Sequence, residues 1–429
     1  MPLQSRYLKI NKRVFSSQRW PQERLRKFQE RALRKLLVHA ARTVPFYQER
    51  LRVVVNPDEI SSFDIRKFNQ IPLLFREDIQ KNLVDLTSVS IPEGHKPVSY
   101  ASTSGSTGKP LTVLSTALTE HMLKIHRAMW MQWCKRDHNA TWFYIMDKDE
   151  KGTWTHGKAS GPLVSFKANY PVDKQIEFLK SVQEAYVTTV PSNLKTLIEY
   201  SRKKQLQLPR ILGATAMGEA VPDGLRELCL DALGVRLMDS YAAREIGFIA
   251  SLCPVYDQYH VMTANVFMEV LNDDGSECEP GETGRVVLTT LNNFASPLIR
   301  YQINDYAVAG DTCECGRQSP VVRKFLGRNR NMFLTPEGVR YYPIFTEAIS
   351  DLAREMQVIN QVQLLQTSLK EVTVCMVVSE KLKKDQESKV KKVIGAALSG
   401  YYTISLEYPD DIPRKPNGKY EDAVCLISD

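Results

Sequence analysis

Residues 100 to 110 read Tyr100-Ala-Ser-Thr-Ser-Gly-Ser-Thr-Gly-Lys-Pro110. Ser104, Ser106 and Thr107 are interleaved with Gly105 and Gly108, so bare backbone N–H groups, hydroxyls and the Lys109 cation can converge on a polyphosphate. Two residues separate the glycines and Pro110 follows the lysine, so this is not the P-loop that holds Mg2+ at a helix N-terminus. On composition alone the stretch also suits a flexible Ser/Gly surface turn.

A second set has the donor types for a metal. Cys253 and His260 lie seven apart, and Cys313-Glu-Cys315 follows about fifty residues later. Three thiolates and an imidazole make a closed tetrahedral set that suits structural zinc, against the alternative of unrelated buried or surface thiols. Further polar clusters follow strand-like stretches: Met217-Gly-Glu219, Asp239-Ser-Tyr-Ala-Ala-Arg-Glu245 and Arg300-Tyr-Gln-Ile-Asn-Asp305. Near the end stands Pro413-Arg-Lys-Pro-Asn-Gly-Lys419.

The elements that must position these groups are legible from periodicity. Leu25, Phe28, Leu33, Leu36, Leu37 and Ala40 predict a helix over 21–42 with one apolar stripe and a basic outer face. Short helical segments lead from there to the phosphate loop, and 117–134 reads as a helix. Strand-like runs at 141–146, 186–190, 211–215 and 235–239 alternate with helical ones at 172–186, 192–204 and 221–233, which argues for a parallel α/β sheet. From 264 to 310 the pattern changes to strands with turns, including the hairpin signal Asn272-Asp-Asp-Gly275. After Gly327-Arg328 a smaller α+β unit is expected: helix 343–356, strands 361–367 and 371–378, helix 385–398 and strand 402–408.

With 429 residues, 43% of them hydrophobic and 25% charged, the chain can build two or three domains. It has no run of about 18 apolar residues and no apolar signal-peptide centre after Met1, so a cytoplasmic protein without a membrane span is expected. Eight cysteines in so long a chain do not suggest a disulfide framework. Residues 1–52 hold 14 Lys/Arg against three Glu, a surplus of 11, so the net charge of +8 leaves about −3 for the rest. The basic arm is a solvated face or a dock for an acidic partner such as a carrier protein or a cofactor phosphate. Nothing in it supports nucleic acid.

In order and spacing, the five polar motifs resemble the acyl-adenylate-forming superfamily, and in particular its phenylacetate-CoA ligase-like branch. The resemblance spans nearly the whole chain, including the arm that ends in His39-Ala-Ala-Arg-Thr-Val-Pro-Phe-Tyr-Gln-Glu-Arg50. It implies an α/β fold: a large N-terminal adenylate-forming domain with mixed α/β sheets over 1–326 and a small, mobile α+β C-terminal lid domain over 327–429. The arm would cover about 1–52 and the zinc clip about 251–316.

Carried over by position, the resemblance implies that Ser104, Gly105, Ser106, Thr107, Gly108 and Lys109 embrace the ATP phosphates. Gly218, Glu219, Asp239 and Tyr241 would frame the adenine, with Arg328 also in the nucleotide site. Asp305 would take the ribose hydroxyls and Glu245 magnesium, and Lys419 would reach the forming acyl phosphate, so Lys419, Glu245 and Thr107 are the catalytic candidates. Branch members share the Cys…His…Cys-x-Cys pattern, which implies zinc on Cys253, His260, Cys313 and Cys315.

A pocket for an aromatic or similarly bulky planar acid is expected near Ala214, Ala216, Ser240, Tyr241, Ala242 and Ala243, where small side chains leave room. The resemblance implies an ATP-dependent, AMP-forming ligase whose acceptor is coenzyme A, or alternatively a carrier protein or an amine; Gly338-Val-Arg-Tyr-Tyr-Pro343 resembles the small-domain loop used near the thiol. A homodimer is compatible with it. A non-catalytic nucleotide-binding regulator is the alternative from another class, motivated by Arg244 and the altered hinge among three departures from the family pattern. Ala242 and Arg244 replace a glycine and a small hydroxyl, Gln302-Ile-Asn304 replaces Arg-Thr-Gly, and Gly327-Arg-Asn-Arg-Asn331 lacks two acids, which leaves Arg330 as the candidate hinge.

Overall fold

Proline delimits the helical arm. The helix Gln22–Thr43 starts after Pro21 and stops at Val44, which stands before Pro45 in extended backbone (φ −116°, ψ 106°) because the proline ring disfavours helical geometry there. Leu25, Leu33, Leu36, Leu37 and Ala40 of the expected stripe are buried on it, together with Gln29, while Phe28 is half-buried. Leu33, Leu36 and Leu37 are fully buried, each contributing about 2 kcal/mol. Gln29 Nε2 donates to the carbonyls of Thr263 and Val266 at 3.2 and 2.9 Å. Tyr47, on the next helix Pro45–Arg50, donates its hydroxyl to Pro297 O at 3.0 Å. The arm is thus fastened to later parts of the chain. A preceding helix, Leu3–Ser17, is not among the expected elements.

The computed structural model describes residues 3–52, 54, 65–102, 111–146, 149–153, 161–168, 170–218, 221–222, 224–328, 332–337, 340–341, 343, 345–412 and 421–427. The chain divides into two compact units, Met1–Arg136 with Ser240–Phe325 and Asp137–Asp239 with Leu326–Asp429. The fold is mixed α/β, with a large N-terminal sheet domain and a small C-terminal domain.

In the first unit, the helix Ala117–Trp133 is capped by Thr116, whose hydroxyl accepts from Thr119 N at 3.1 Å. The strands there are antiparallel: Gly247–Leu252 pairs with Tyr259–Val261, and Val266–Leu271, Thr283–Thr290 and Tyr301–Ala309 pair in sequence order. The second unit holds the parallel layer. Thr141–Met146 pairs parallel with both Pro162–Lys167 and Glu184–Thr189; the latter pairs parallel with Arg210–Ala216, and that with the start of Leu237–Ala243. Helices Val172–Leu179, Pro191–Lys203 and Leu225–Leu233 are the crossings.

The C-terminal residues form their own layer. Ile359–Ser368 and Glu371–Val378 make a hairpin, flanked in parallel by Ala423–Cys425 and Thr403–Glu407. Helices Thr346–Met356 and Lys384–Ala397 accompany it over a core that includes Leu352, Leu364, Val372, Val374 and Ile394. Among the described residues, no helix is long and apolar enough to cross a membrane.

Candidate active site and metal centre

The strand that carries Tyr241 is longer than its apolar start predicts. Leu237–Ala243 runs beyond the expected end at Asp239 and includes Ser240 and Tyr241, because backbone pairing continues it: Ser240 faces Ser251, Tyr241 Ala250, Ala242 Phe248 and Ala243 Gly247. The turn between these strands holds Arg244, Glu245 and Ile246, and Ile246 N bonds Ala243 O at 3.1 Å. Gly247 closes it at φ 89°, a left-handed backbone that a side chain would strain. Asn265 Nδ2 donates to the carbonyls of Ile246 and Phe248 at 3.2 and 2.7 Å and pins the tip. Glu245 is therefore a buried carboxylate at a rigid hairpin tip, while Arg244 is exposed.

Asp305 also lies within a strand, Tyr301–Ala309, and not beyond one. Its pairing shifts between Arg285 opposite Tyr306 and Val287 opposite Gln302. Asn304, inside that irregularity, has φ 65°. Such a bulge re-aims a side chain that regular alternation would place elsewhere.

The two motifs are tied to each other reciprocally. Tyr241, from the Glu245 motif, donates its hydroxyl to Asp305 Oδ2. Tyr301, from the Asp305 motif, donates to Glu245 Oε1 at 3.4 Å. Burial, and then the facing carboxylates, push both phenols above their ordinary range, so they stay neutral donors. The Tyr241 ring stacks on Phe325 (3.9 Å, 17°), and Tyr259 meets Phe325 edge-on at 5.1 Å. The hydroxyls of Ser240 and Ser251 are buried without a hydrogen-bond partner among the described residues, a polar spot beside this network.

In the second unit, Gly218 follows the strand Arg210–Ala216 at φ 87°. Asp239 pairs with Arg226 at 3.6 Å, and Arg226 Nη1 also donates to Leu237 O at 2.7 Å. Ala214 and Ala216 are fully buried in an apolar cluster with Leu194, Ile198, Leu225 and Leu237. Strand alternation turns both toward these residues, so their small size serves close packing. Ala242 is exposed and Ala243 half-buried.

Cys253, His260, Cys313 and Cys315 come together, with all donor atoms within 4.8 Å of one another. The strand pair Gly247–Leu252 and Tyr259–Val261 supplies the first two, and the 313–315 turn the others. The sulfurs of Cys253 and Cys313 stand 3.8 Å apart and His260 Nε2 lies 3.1 Å from Cys315 Sγ. A zinc–sulfur bond of about 2.3 Å gives a tetrahedral edge of about 3.8 Å, so the donor set fits the ion. His260 Nδ1 sits 3.2 Å from Ser319 Oγ, which orients the ring.

The 104–109 loop, Glu219, Arg330, Lys419 and the side chain of Arg328 lie outside the described residues, as do 338, 339 and 342. Sequence reasoning did not single out Tyr301, Phe325, Arg226 or Ser319. Tyr301 stood inside a quoted motif, which was its signal; the others carry none, because their partners are distant in sequence.

Residues 13–295 match the family model described as AMP-binding enzyme, and 334–424 that of the CapK C-terminal domain. Phenylacetate-coenzyme A ligase of Thermus thermophilus is 27% identical over 347 residues, covering 77% of this chain and 76% of that protein. The Escherichia coli protein of that name is 25% identical over 303 residues, covering 66% and 67%. Among solved structures, 2-hydroxyisobutyryl-CoA ligase in the postadenylation state with 2-HIB-AMP is similar with a TM-score of 0.73, at 17% identity over 93% of this chain and 89% of that one. With the carboxylates, their phenols and the fold in place, and a family match over more than half its length, the chain belongs to the AMP-binding enzyme family, on the phenylacetate-CoA ligase-like branch of the adenylate-forming enzymes.

Proposed function

We propose that this protein is an ATP-dependent, AMP-forming carboxylate–CoA ligase acting on an aromatic or similarly planar acid. The observation that carries the reading is the reciprocal pairing of Tyr241 with Asp305 and Tyr301 with Glu245 in a chain of this family. Relatives named phenylacetate-coenzyme A ligase support coenzyme A as the acceptor.

The acid's carboxylate oxygen attacks the α-phosphorus of ATP, a P–O bond forms, and pyrophosphate leaves; the coenzyme A thiolate then displaces AMP from the acyl carbon. Asp305, held by Tyr241, takes the ribose hydroxyls and sets the α-phosphorus in line. Glu245, held by Tyr301, is the carboxylate to hold Mg2+, which when bound neutralises charge on the phosphoryl oxygens. The 104–109 loop and Lys419 carry donors for the departing and forming phosphates. Zinc on Cys253, His260, Cys313 and Cys315 is structural, because four protein ligands leave no open position.

Acid-dependent ATP–pyrophosphate exchange over aryl, arylacetic, heteroaromatic and fatty acids tests the first half-reaction. Exchange with planar acids, and AMP release that rises on adding coenzyme A, is the expected result. No exchange with any acid from folded, ATP-binding protein would overturn the reading, and a response to holo carrier protein in place of coenzyme A would replace the acceptor.

A further inference from the structure

A half-open surface cavity of about 970 Å3 lies along the arm, lined by none of the residues assigned to adenylation. Lys9 and Arg13 line it from Leu3–Ser17, and Arg24, Lys27, Arg31 and Lys35 from Gln22–Thr43. Steps of four on the first helix, and of three, four and four on the second, put each set on one helix face. Glu23 is the one carboxylate among the lining residues, and Lys27 already holds it at 2.5 Å. Arg13, Arg31 and Lys35 pair with no carboxylate among the described residues. Trp20, Phe28 and Phe294 add aromatic surface, with the Arg24 guanidinium 4.1 Å over the Trp20 ring.

We infer that this cavity binds a small organic polyanion with a flat ring, the class to which nucleoside phosphates belong. Converging guanidinium and ammonium groups match two or more phosphates, and the aromatic surface matches a ring. The volume lies within the roughly 300–1,000 Å3 of small-molecule sites, whereas a protein partner needs a broad surface of about 800 Å2. The arm's surplus of 11 positive charges, beside about −3 for the other residues, draws anions to this end of the sequence. None of the lining residues belongs to the adenylation site, so the inference stands apart from that reading.

The test titrates inorganic tripolyphosphate and adenosine 3′,5′-bisphosphate into the full-length protein by calorimetry at low salt, with tryptophan fluorescence alongside. Binding of the bisphosphate, quenching that is lost in Trp20→Phe, and a weakening of about tenfold or more in the doubly exchanged Arg31→Glu, Lys35→Glu protein are expected. Both exchanged residues are exposed, and thermal melting checks that the variant folds. Arg13→Glu, on the other wall, repeats the test independently. Competition by coenzyme A or by ATP then separates a reaction nucleotide from a distinct one, either of which supports the site. Undiminished binding in both variants, no binding of either probe to wild type, or capture only of duplex oligonucleotide or an acidic polypeptide would overturn it.

Discussion

Glu245 and Asp305 each meet a phenol from the other's motif, so neither carboxylate is free to choose its rotamer. A charge-assisted hydrogen bond of this kind contributes about 1.5–3 kcal/mol. Glu245→Gln is expected to lower acid-dependent pyrophosphate release by about 100-fold or more, and Tyr301→Phe by about tenfold, with a raised Mg2+ requirement. Exchange assays over a magnesium titration check both, and a fully active Tyr301→Phe protein would detach the phenol from the site. His126 makes a separate prediction. Its Nδ1 donates to Met122 O at 2.7 Å, its Nε2 is buried without a partner among the described residues, and burial pushes its pKa down to about 4. The unfolded chain takes up that proton near pH 6.5 and the native one does not. Stability is therefore complete above about pH 6.5 and falls by about 3 kcal/mol as pH drops toward 4. Urea midpoints at pH 7.5 and 5, for wild type and His126→Leu, should show a smaller drop in the variant.

At the scale of elements, two irregularities place the site. The turn closed by Gly247 presents Glu245, and the bulge at Asn304 turns Asp305 toward Tyr241. The Cys3His cluster is also a link between elements: a two-strand unit and the residue after its first strand offer His260 and Cys253, and a turn some fifty residues later offers Cys313 and Cys315. Purified protein should hold about one zinc per chain. Cys315→Ser should lose it and melt on the order of 10 °C lower, since metal affinity at such a site is folding energy. Equal melting of metal-free and zinc-loaded protein would remove the structural role.

Across the whole molecule, long-range ties do what local propensity cannot. Arg300, at φ 50°, turns its side chain into the interior, pairs with Glu269 at 3.0 Å and donates to the carbonyls of Asn69 and Ile71 at 2.5 and 2.7 Å. Burial pushes the Glu269 carboxyl up and Arg300 opposes it. Arg300→Ala strands that charge and should cost about 3–5 kcal/mol in denaturant unfolding, while adding Glu269→Leu should recover much of it. Retention of full stability by the single variant would refute the tie.

Much of the fold was legible in the chain. The arm helix, the helix Ala117–Trp133, the C-terminal hairpin and the parallel strands other than Pro162–Lys167 follow from hydrophobic period, because each buries one face and period records that face. The place of Glu245 was legible for the same local reason, since a carboxylate at a turn is a short-range arrangement. Only tertiary structure decided that Ser240, Tyr241 and Asp305 sit within strands, that Ala214 and Ala216 pack beneath helices, and that Tyr241 reaches Asp305 across sixty-four positions. Strand partners and bulges depend on which distant segment lies alongside, and a side chain's neighbours on a sheet carry no trace in its own local pattern.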